Sequence, residues 1–279
     1  MIKQSEVNHI IQLPVREDVN HDSPAWLTNY SVSVVVPAMN EADNLPHVLP
    51  QIPRWVDEVI LVDGNSTDGT PEVAASLWPD IRIVQQQGKG KGAALRTGFA
   101  AAQGDIIVMI DADGSTDPRE IPGYVGMLLS GADYAKGSRY LQGGGSEDIS
   151  LFRSLGNAGL LLAVRVLFGY KFSDLCYGYN AFWRRILPQL DLDCDGFEIE
   201  TLMNLRAGLA GLRIAEVPSF EASRIYGESR LRAIPDGWRA LKTIMRERFQ
   251  SWFREAPLPV QQPLEIPQTM PAPVLEQAS

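Results

Sequence analysis

The chain has 279 residues, 45% of them hydrophobic, enough to bury one large core or two modest ones. A formal net charge of −9 excludes a general nucleic-acid binder, because phosphate backbones demand a basic footprint, so an anionic substrate has to be met by local cations. Two cysteines, Cys176 and Cys194, are too few and too oddly spaced for a zinc site or a disulfide framework, and are expected to be reduced and structural.

Residues 1–30 are polar and aperiodic and read as an N-terminal extension without a signal-peptide core. No apolar run reaches the roughly 18 residues needed to span a bilayer, so a cytoplasmic protein is expected. Apolar runs then alternate with helix-like stretches. Strands are predicted over 32–36, 58–62, 81–84, 106–110 and 133–136, and helices over 41–51, 71–77, 92–102 and 118–130. This alternation predicts an α/β domain over 31–230, a mainly parallel sheet flanked by helices.

The strand ends carry the polar residues. Val36 gives way to Pro37-Ala38-Met39-Asn40-Glu41, where Pro37 stops the strand and Asn40 can cap the next helix. Val62 runs into the dense turn 63–70, in which Asp63 is a natural strand-end acceptor for a base or ribose, while Ser66, Thr67 and Asp68 serve capping equally well. Gly88-Lys89-Gly90-Lys91-Gly92 opens a helix and resembles a phosphate cradle, although Ala93 stands where a dinucleotide motif would have its third glycine. Lys91 suits a diphosphate or base contact, and a solvated loop is the other reading. The strand 106–110 ends in Asp111-Ala112-Asp113-Gly114. Paired carboxylates at a strand exit can hold a divalent cation partly, leaving positions for diphosphate oxygens, which points to a sugar nucleotide; ordinary turn capping is the alternative.

Beyond the sheet, residues 155–168 read as an apolar helix, too short at about 1.5 Å per residue to cross a bilayer of about 30 Å, and suited to a core or a membrane surface. Glu198 and Glu200 open another helix, where early glutamates also complement the dipole. Residues 231–255 mix Arg232, Arg239, Lys242, Arg246, Arg248 and Arg254 with Trp238, Phe249, Trp252 and Phe253, as a helix meeting an anionic membrane would, or one packing with a solvated basic face. The segment 256–279 holds six prolines and no glycine and is expected to be extended or disordered.

In order, Val-Val-Pro-Ala-Met-Asn-Glu, Val-Asp-Gly-Asn-Ser-Thr-Asp-Gly-Thr, Gly-Lys-Gly-Ala-Ala (90–94), Asp-Ala-Asp-Gly and Gly-Ser-Arg-Tyr (137–140) resemble the family 2 glycosyltransferases. Within that family the likeness is to the dolichyl- and polyprenyl-phosphate mannosyl- and glucosyltransferases, over about residues 31 to 250. The resemblance implies a GT-A fold, a nucleoside-diphosphate sugar donor of UDP-glucose or GDP-mannose type, Mg²⁺ or Mn²⁺, and inversion at the anomeric carbon. By the same matching, Pro37, Ala38, Asn40, Glu41 and Asp63 would line the nucleoside pocket, while Asp111, Ala112 and Asp113 would meet the metal and diphosphate. Arg224 would lie near the diphosphate, and Arg139 and Arg153 would hold the acceptor phosphate.

Ser115 stands where that branch often has glutamine on the metal side, and Tyr177 departs from the pattern beside Gly178. A hydroxyl acceptor wants a general base, yet His9, His21 and His47 all lie outside the strand-end cluster. Asp174 is the best carboxylate for that role, with Glu198 and Glu200 behind it. A phosphate acceptor is already ionised and wants cations, which Arg139 and Arg153 supply. The expected activity is hexose transfer to a phosphate, chiefly polyprenyl phosphate, with peripheral contact at the inner membrane face. The alternatives are a soluble acceptor, a nucleotidyltransferase, whose Gly-rich, Arg-containing loop is absent after Val36, and a non-catalytic sugar-nucleotide sensor.

Overall fold

The computed structural model describes residue 27 and residues 29–229 and 231–253. The proline-rich segment 256–279, most of the N-terminal extension and Arg254 lie outside the described residues. Nine strands are described: β1 (Val32–Ala38), β2 (Glu58–Asp63), β3 (Arg82–Gln85), β4 (Ile106–Met109), β5 (Tyr134–Ser138), β6 (Gly145–Ser146), β7 (Asn180–Trp183), β8 (Ile214–Pro218) and β9 (Phe220–Glu221). Seven form one sheet in the order β3-β2-β1-β4-β7-β5-β8, and β6 pairs with β9. All pairs in the large sheet are parallel except those that β7 makes with β4 and β5. The Val/Ile runs of β1 and β4 are buried throughout, as expected for strands covered on both faces. β7, a four-residue strand of composition Asn-Ala-Phe-Trp, was not among the predicted elements, since nothing in so short a run separates it from a turn.

The helices are α1 (Leu45–Val48), α2 (Thr70–Leu77), α3 (Lys91–Ala101), α4 (Ile121–Leu129), α5 (Leu151–Phe168), α6 (Leu187–Leu190), α7 (Ile199–Leu209) and α8 (Ala233–Ser251). Two predictions change. The helix expected over 41–51 is only α1 followed by a 3-10 turn over Leu49–Gln51, because Pro46 and Pro50 each suit a first turn and interrupt a longer ladder. α5 begins four residues before Leu155, because the Ser150 side chain caps it by accepting from the Arg153 N–H. Its 18 residues, about 27 Å at the helical rise, have a mean hydropathy of 1.5 and are only 11% buried, so by length and composition the helix suffices to cross a membrane.

α3 lies directly on β1 and β2, and Gly98 permits this: a Cβ there would come within 2.8 Å of Val62 Cγ2 and nearer still to Val35. α8 packs on α5 and α7 rather than standing apart, around Val164, Leu175, Leu205 and Ile244. It is fastened by Glu247, fully buried, which accepts from Arg206 of α7 at Nε (3.1 Å) and Nη2 (3.0 Å).

Candidate active site

The C-terminal ends of β1, β2 and β4 lie side by side, with Ala38 opposite Asp63 in the parallel register. At this rim opens a cavity of about 1000 Å³. Pro37, Ala38, Glu41, Lys91, Asp111, Ala112, Asp113, Arg139, Arg153 and Arg224 all line it, so ten of the residues proposed from sequence converge. Asn40, Asp63 and Asp174 do not line it. Asp63 is buried with its carboxylate turned to the Ser66 N–H, and the Asn40 amide oxygen accepts from the Thr67 N–H. These two shape the rim loops.

Three cations on the cavity wall are each held between two carboxylates. Lys91 Nζ lies 2.7 and 3.0 Å from the two oxygens of Asp111 and 2.9 Å from Glu200 Oε1. Arg224 reaches both oxygens of Glu41 at 2.6 Å and Asp113 Oδ2 at 3.2 Å. Arg139 makes a bidentate pair with Asp174, at 2.7 and 3.0 Å, and donates to Glu221 at 3.0 Å. Burial works against the charge on Lys91, but Asp111 and Glu200 outweigh it and raise its pKa above the ordinary lysine value. Burial likewise opposes charge on Arg139, and Asp174 and then Glu221 reverse the effect. Glu200 is pushed up by burial and drawn back by Lys91. Arg153, in the first turn of α5, pairs with Asp148 at 2.8 Å.

Local sequence explains these positions. The glycines of Gly90-Lys91-Gly92 are required by packing: a Cβ at either would collide with the backbone of residues 194–195, which leads into α7 and Glu200. The loop read as a phosphate cradle is thus a seat for Lys91. Gly178 lies beneath the same group, where a Cβ would be 2.8 Å from both Lys91 Nζ and Asp111 Oδ2. Ser115 donates from N–H (3.0 Å) and Oγ (2.6 Å) to Asp113, so its hydroxyl braces that carboxylate.

The expectation of a general base at Asp174 meets a different geometry. Its side chain has no solvent exposure, and its carboxylate accepts from Arg139 and the Cys176 N–H, away from the cavity. Glu198 accepts from the Gly196 N–H at 3.3 Å and does not line the cavity. Burial pushes the Cys176 and Cys194 thiols up to about 12, which suits reduced, inert side chains.

Asp111 and Asp113 present hard oxygens one residue apart, with about a quarter of each side chain exposed. No group of three or more His, Cys, Asp or Glu side chains able to hold a metal occurs among the described residues. The pair therefore fits Mg²⁺ or Mn²⁺ only as a partial shell completed by diphosphate oxygens and water. Charge points the same way. Four basic side chains line the cavity against seven carboxylates, leaving three formal negative charges, so an anionic diphosphate needs an accompanying cation to enter.

Residues that sequence reasoning missed extend the cavity in two directions. Met39, Gln86 and Phe197 widen the β1 end. At the other end the space passes Arg139 and Arg153 and continues between α5 and α8 along Phe152, Leu160, Ile234, Trp238 and Leu241. Glu200 was read from sequence as a reserve base or a dipole partner and instead holds Lys91, while Glu221 had no distinguishing signal.

Residues 33–190 match the model of "Glycosyl transferase family 2". The chain is 31% identical over 210 residues to the dolichol-phosphate mannosyltransferase of Pyrococcus furiosus, covering 72% of this chain and 59% of that protein. It is 32% identical over 212 residues to the undecaprenyl-phosphate mannosyltransferase of Micrococcus luteus, covering 72% and 87%. The chain spans 53% and 59% of the length of two archaeal relatives that it matches. Among solved structures, glucosyl-3-phosphoglycerate synthase from Mycobacterium tuberculosis, in complex with Mn²⁺, UDP and glucosyl-3-phosphoglycerate, superposes with a TM-score of 0.64 at 26% identity, over 81% of this chain and 82% of that one. The fold is accordingly GT-A.

Proposed function

Because the chain belongs to glycosyltransferase family 2, we propose that it transfers a hexose, with inversion, from a nucleoside-diphosphate sugar to a polyprenyl phosphate. The observation that carries this reading is the continuity of the cavity. Its rim end holds paired carboxylates and cations suited to a metal-bound diphosphate, and the same space runs past two arginines into an apolar trough between α5 and α8. A phosphate on a hydrocarbon chain matches that succession of surfaces.

The residues then take distinct roles. Asp111 and Asp113 would hold Mg²⁺ or Mn²⁺, which when bound neutralises charge on the departing diphosphate. Lys91 and Arg224 flank the same position and bear on the phosphate oxygens. Three of the five N–H groups of Arg139 are engaged by Asp174 and Glu221, and the remaining two would meet the acceptor phosphate beside Arg153. An acceptor phosphate oxygen attacks C1 of the sugar, the bond from C1 to the diphosphate oxygen breaks, and its electron pair leaves with the diphosphate. That nucleophile is already anionic and needs no base, so Asp174 acts by positioning Arg139.

The outer faces of α5 and α8 support peripheral membrane contact, on the cytoplasmic side where nucleotide sugars are available. Leu151, Leu155, Leu162 and Val166 form one exposed stripe on α5, and Met245, Phe249 and Trp252 another on α8 that continues from Ile234 and Trp238 at the mouth of the trough, with Lys242 and Arg248 beside them. Apolar stripes flanked by basic residues suit an anionic bilayer surface.

The test offers labelled UDP-glucose or GDP-mannose with Mn²⁺ and either undecaprenyl phosphate in anionic vesicles or 3-phosphoglycerate in solution. Label entering the organic phase supports the reading. Label found only on phosphoglycerate would replace it with a soluble acceptor, the reading that the likeness to the Mycobacterium synthase favours.

A further inference from the structure

Lys91 occupies the carboxylate that a metal ion requires. Its ammonium lies within 3.0 Å of both Asp111 oxygens, and a divalent cation binds such oxygens at about 2.0–2.2 Å. Lysine and metal would share one carboxylate at distances where like charges repel strongly in a partly buried site. Arg224 holds Asp113 more loosely, through Oδ2 alone at 3.2 Å. Each cation has a second carboxylate that keeps it in place: Glu200, with a side chain 3% exposed, for Lys91, and Glu41, 10% exposed, for Arg224. The contact of Arg224 to Asp113 (3.2 Å) is longer than its two contacts to Glu41 (2.6 Å), so Asp113 is the partner released first. Gly178 is what lets Lys91, Asp111 and Glu200 gather this closely, since a Cβ there would lie 2.8 Å from Lys91 Nζ and from Asp111 Oδ2.

We propose that Glu200 is a positioning residue which tethers Lys91 as a movable counter-ion of Asp111, so that the divalent cation and the nucleoside diphosphate bind as a coupled pair. The inference rests on the metal-dependent nucleotide-sugar reading above. Entry of the metal costs Lys91 and Arg224 their aspartate partners, and the diphosphate restores partners to both. Glu200 and Glu41 keep the two cations within reach throughout. Neither ligand alone satisfies all the charges, whereas the two together do. Coupling of this kind is reciprocal, because each ligand tightens the other by the same factor.

The test measures free Mn²⁺ by electron paramagnetic resonance during titration of the full chain, with and without UDP, alongside thermal melting. In the wild type, saturating UDP should tighten Mn²⁺ about tenfold or more, and Mn²⁺ should tighten UDP by the same factor. Lys91→Met should bind Mn²⁺ alone more tightly than the wild type, with the UDP effect falling severalfold. Lys91→Gln, which keeps a hydrogen-bond donor beside Glu200, should behave alike and serves if the methionine variant fails to fold. Glu200→Gln should change Mn²⁺ affinity in the opposite direction, weakening binding of the metal alone, because Lys91 then has Asp111 as its sole carboxylate. A purely structural role for Glu200 would lower the melting temperature and leave the coupling factor intact. Unchanged Mn²⁺ affinity and coupling in a folded Lys91 variant overturns the inference while leaving the functional reading standing. Failure of the wild type to bind either Mn²⁺ or UDP overturns both.

Discussion

Replacing Asp174 by asparagine alters a single group and separates positioning from base catalysis. The carboxylate accepts four hydrogen bonds, from Arg139 Nε and N at Oδ2 and from Arg139 Nη2 and Cys176 N at Oδ1. An amide with its oxygen at the Oδ2 position keeps the first pair and turns a donor toward the second. The loss is one charge-assisted bond, roughly 1.5–3 kcal/mol, and one buried N–H without a partner, roughly 1–3 kcal/mol, and because Arg139 keeps Glu221 the total falls near the lower end, about 3 kcal/mol. For a chain of this size each kcal/mol shifts the melting temperature by about 2–4 °C, so a fall of about 6–12 °C is expected. Arg139 retains Glu221 and should tilt toward it, raising the acceptor KM about tenfold while UDP affinity with Mn²⁺ stays within about twofold. Calorimetry gives the first quantity, acceptor kinetics and nucleotide titration the others. A melting temperature within about 1 °C of wild type, combined with a loss confined to kcat, would refute the positioning role and restore the base.

Four further outcomes follow from the same geometry. Asp113→Asn should abolish transfer and Mn²⁺-dependent nucleotide binding, with stability lowered by no more than about 1 kcal/mol because the lost ion pair is partly exposed; full activity in that variant or in excess chelator would reject the metal site. Arg153→Lys should lower acceptor kcat/KM about tenfold and leave donor binding intact, since an ammonium does not reproduce the guanidinium fork; equal losses would move Arg153 to the diphosphate or to structure. Glu247→Ala should cost about 3 kcal/mol in denaturant unfolding, the lower end for a broken buried pair because Asp193 remains 3.1 Å from Arg206; a cost below about 1 kcal/mol would show that α8 is held chiefly by its apolar side. The thiols of Cys176 and Cys194, raised by burial to about 12, favour the folded state fully below the unfolded thiol value of about 8.5 and lose that contribution as pH climbs toward 12; native-state alkylation at pH 8 should be far slower than in denaturant, and equal rates would contradict the burial.

How much was legible in the sequence differs element by element. β1, β2 and β4 announce themselves because Val/Ile-rich runs suit a strand covered on both faces, and the residues that follow each run must then lie at the rim. The convergence of Glu41, Asp111 and Asp113 was therefore readable from local pattern. The length of α5 was less legible, since its start depends on the Ser150 cap, and so was the split of the 41–51 segment at Pro50. The binding of Arg139 by Asp174, 35 residues away, was invisible, because no periodicity links β5 to the loop before β7.

The sequence by itself determined which chemistry was present: hard oxygen ligands at a strand exit, arginines apt for phosphate, and few alternatives for a base. Those follow from residue identity and short spacing, where one strand or one turn dictates direction. Tertiary structure alone decided how that chemistry is apportioned. It pairs Lys91, Arg139 and Arg224 each with two carboxylates brought from distant elements, turns Asp174 from a candidate base into the anchor of Arg139, and opens the rim end into the trough between α5 and α8. The physical reason is that ion pairing and burial depend on distances between elements far apart in the chain, which helix and strand periods leave unspecified.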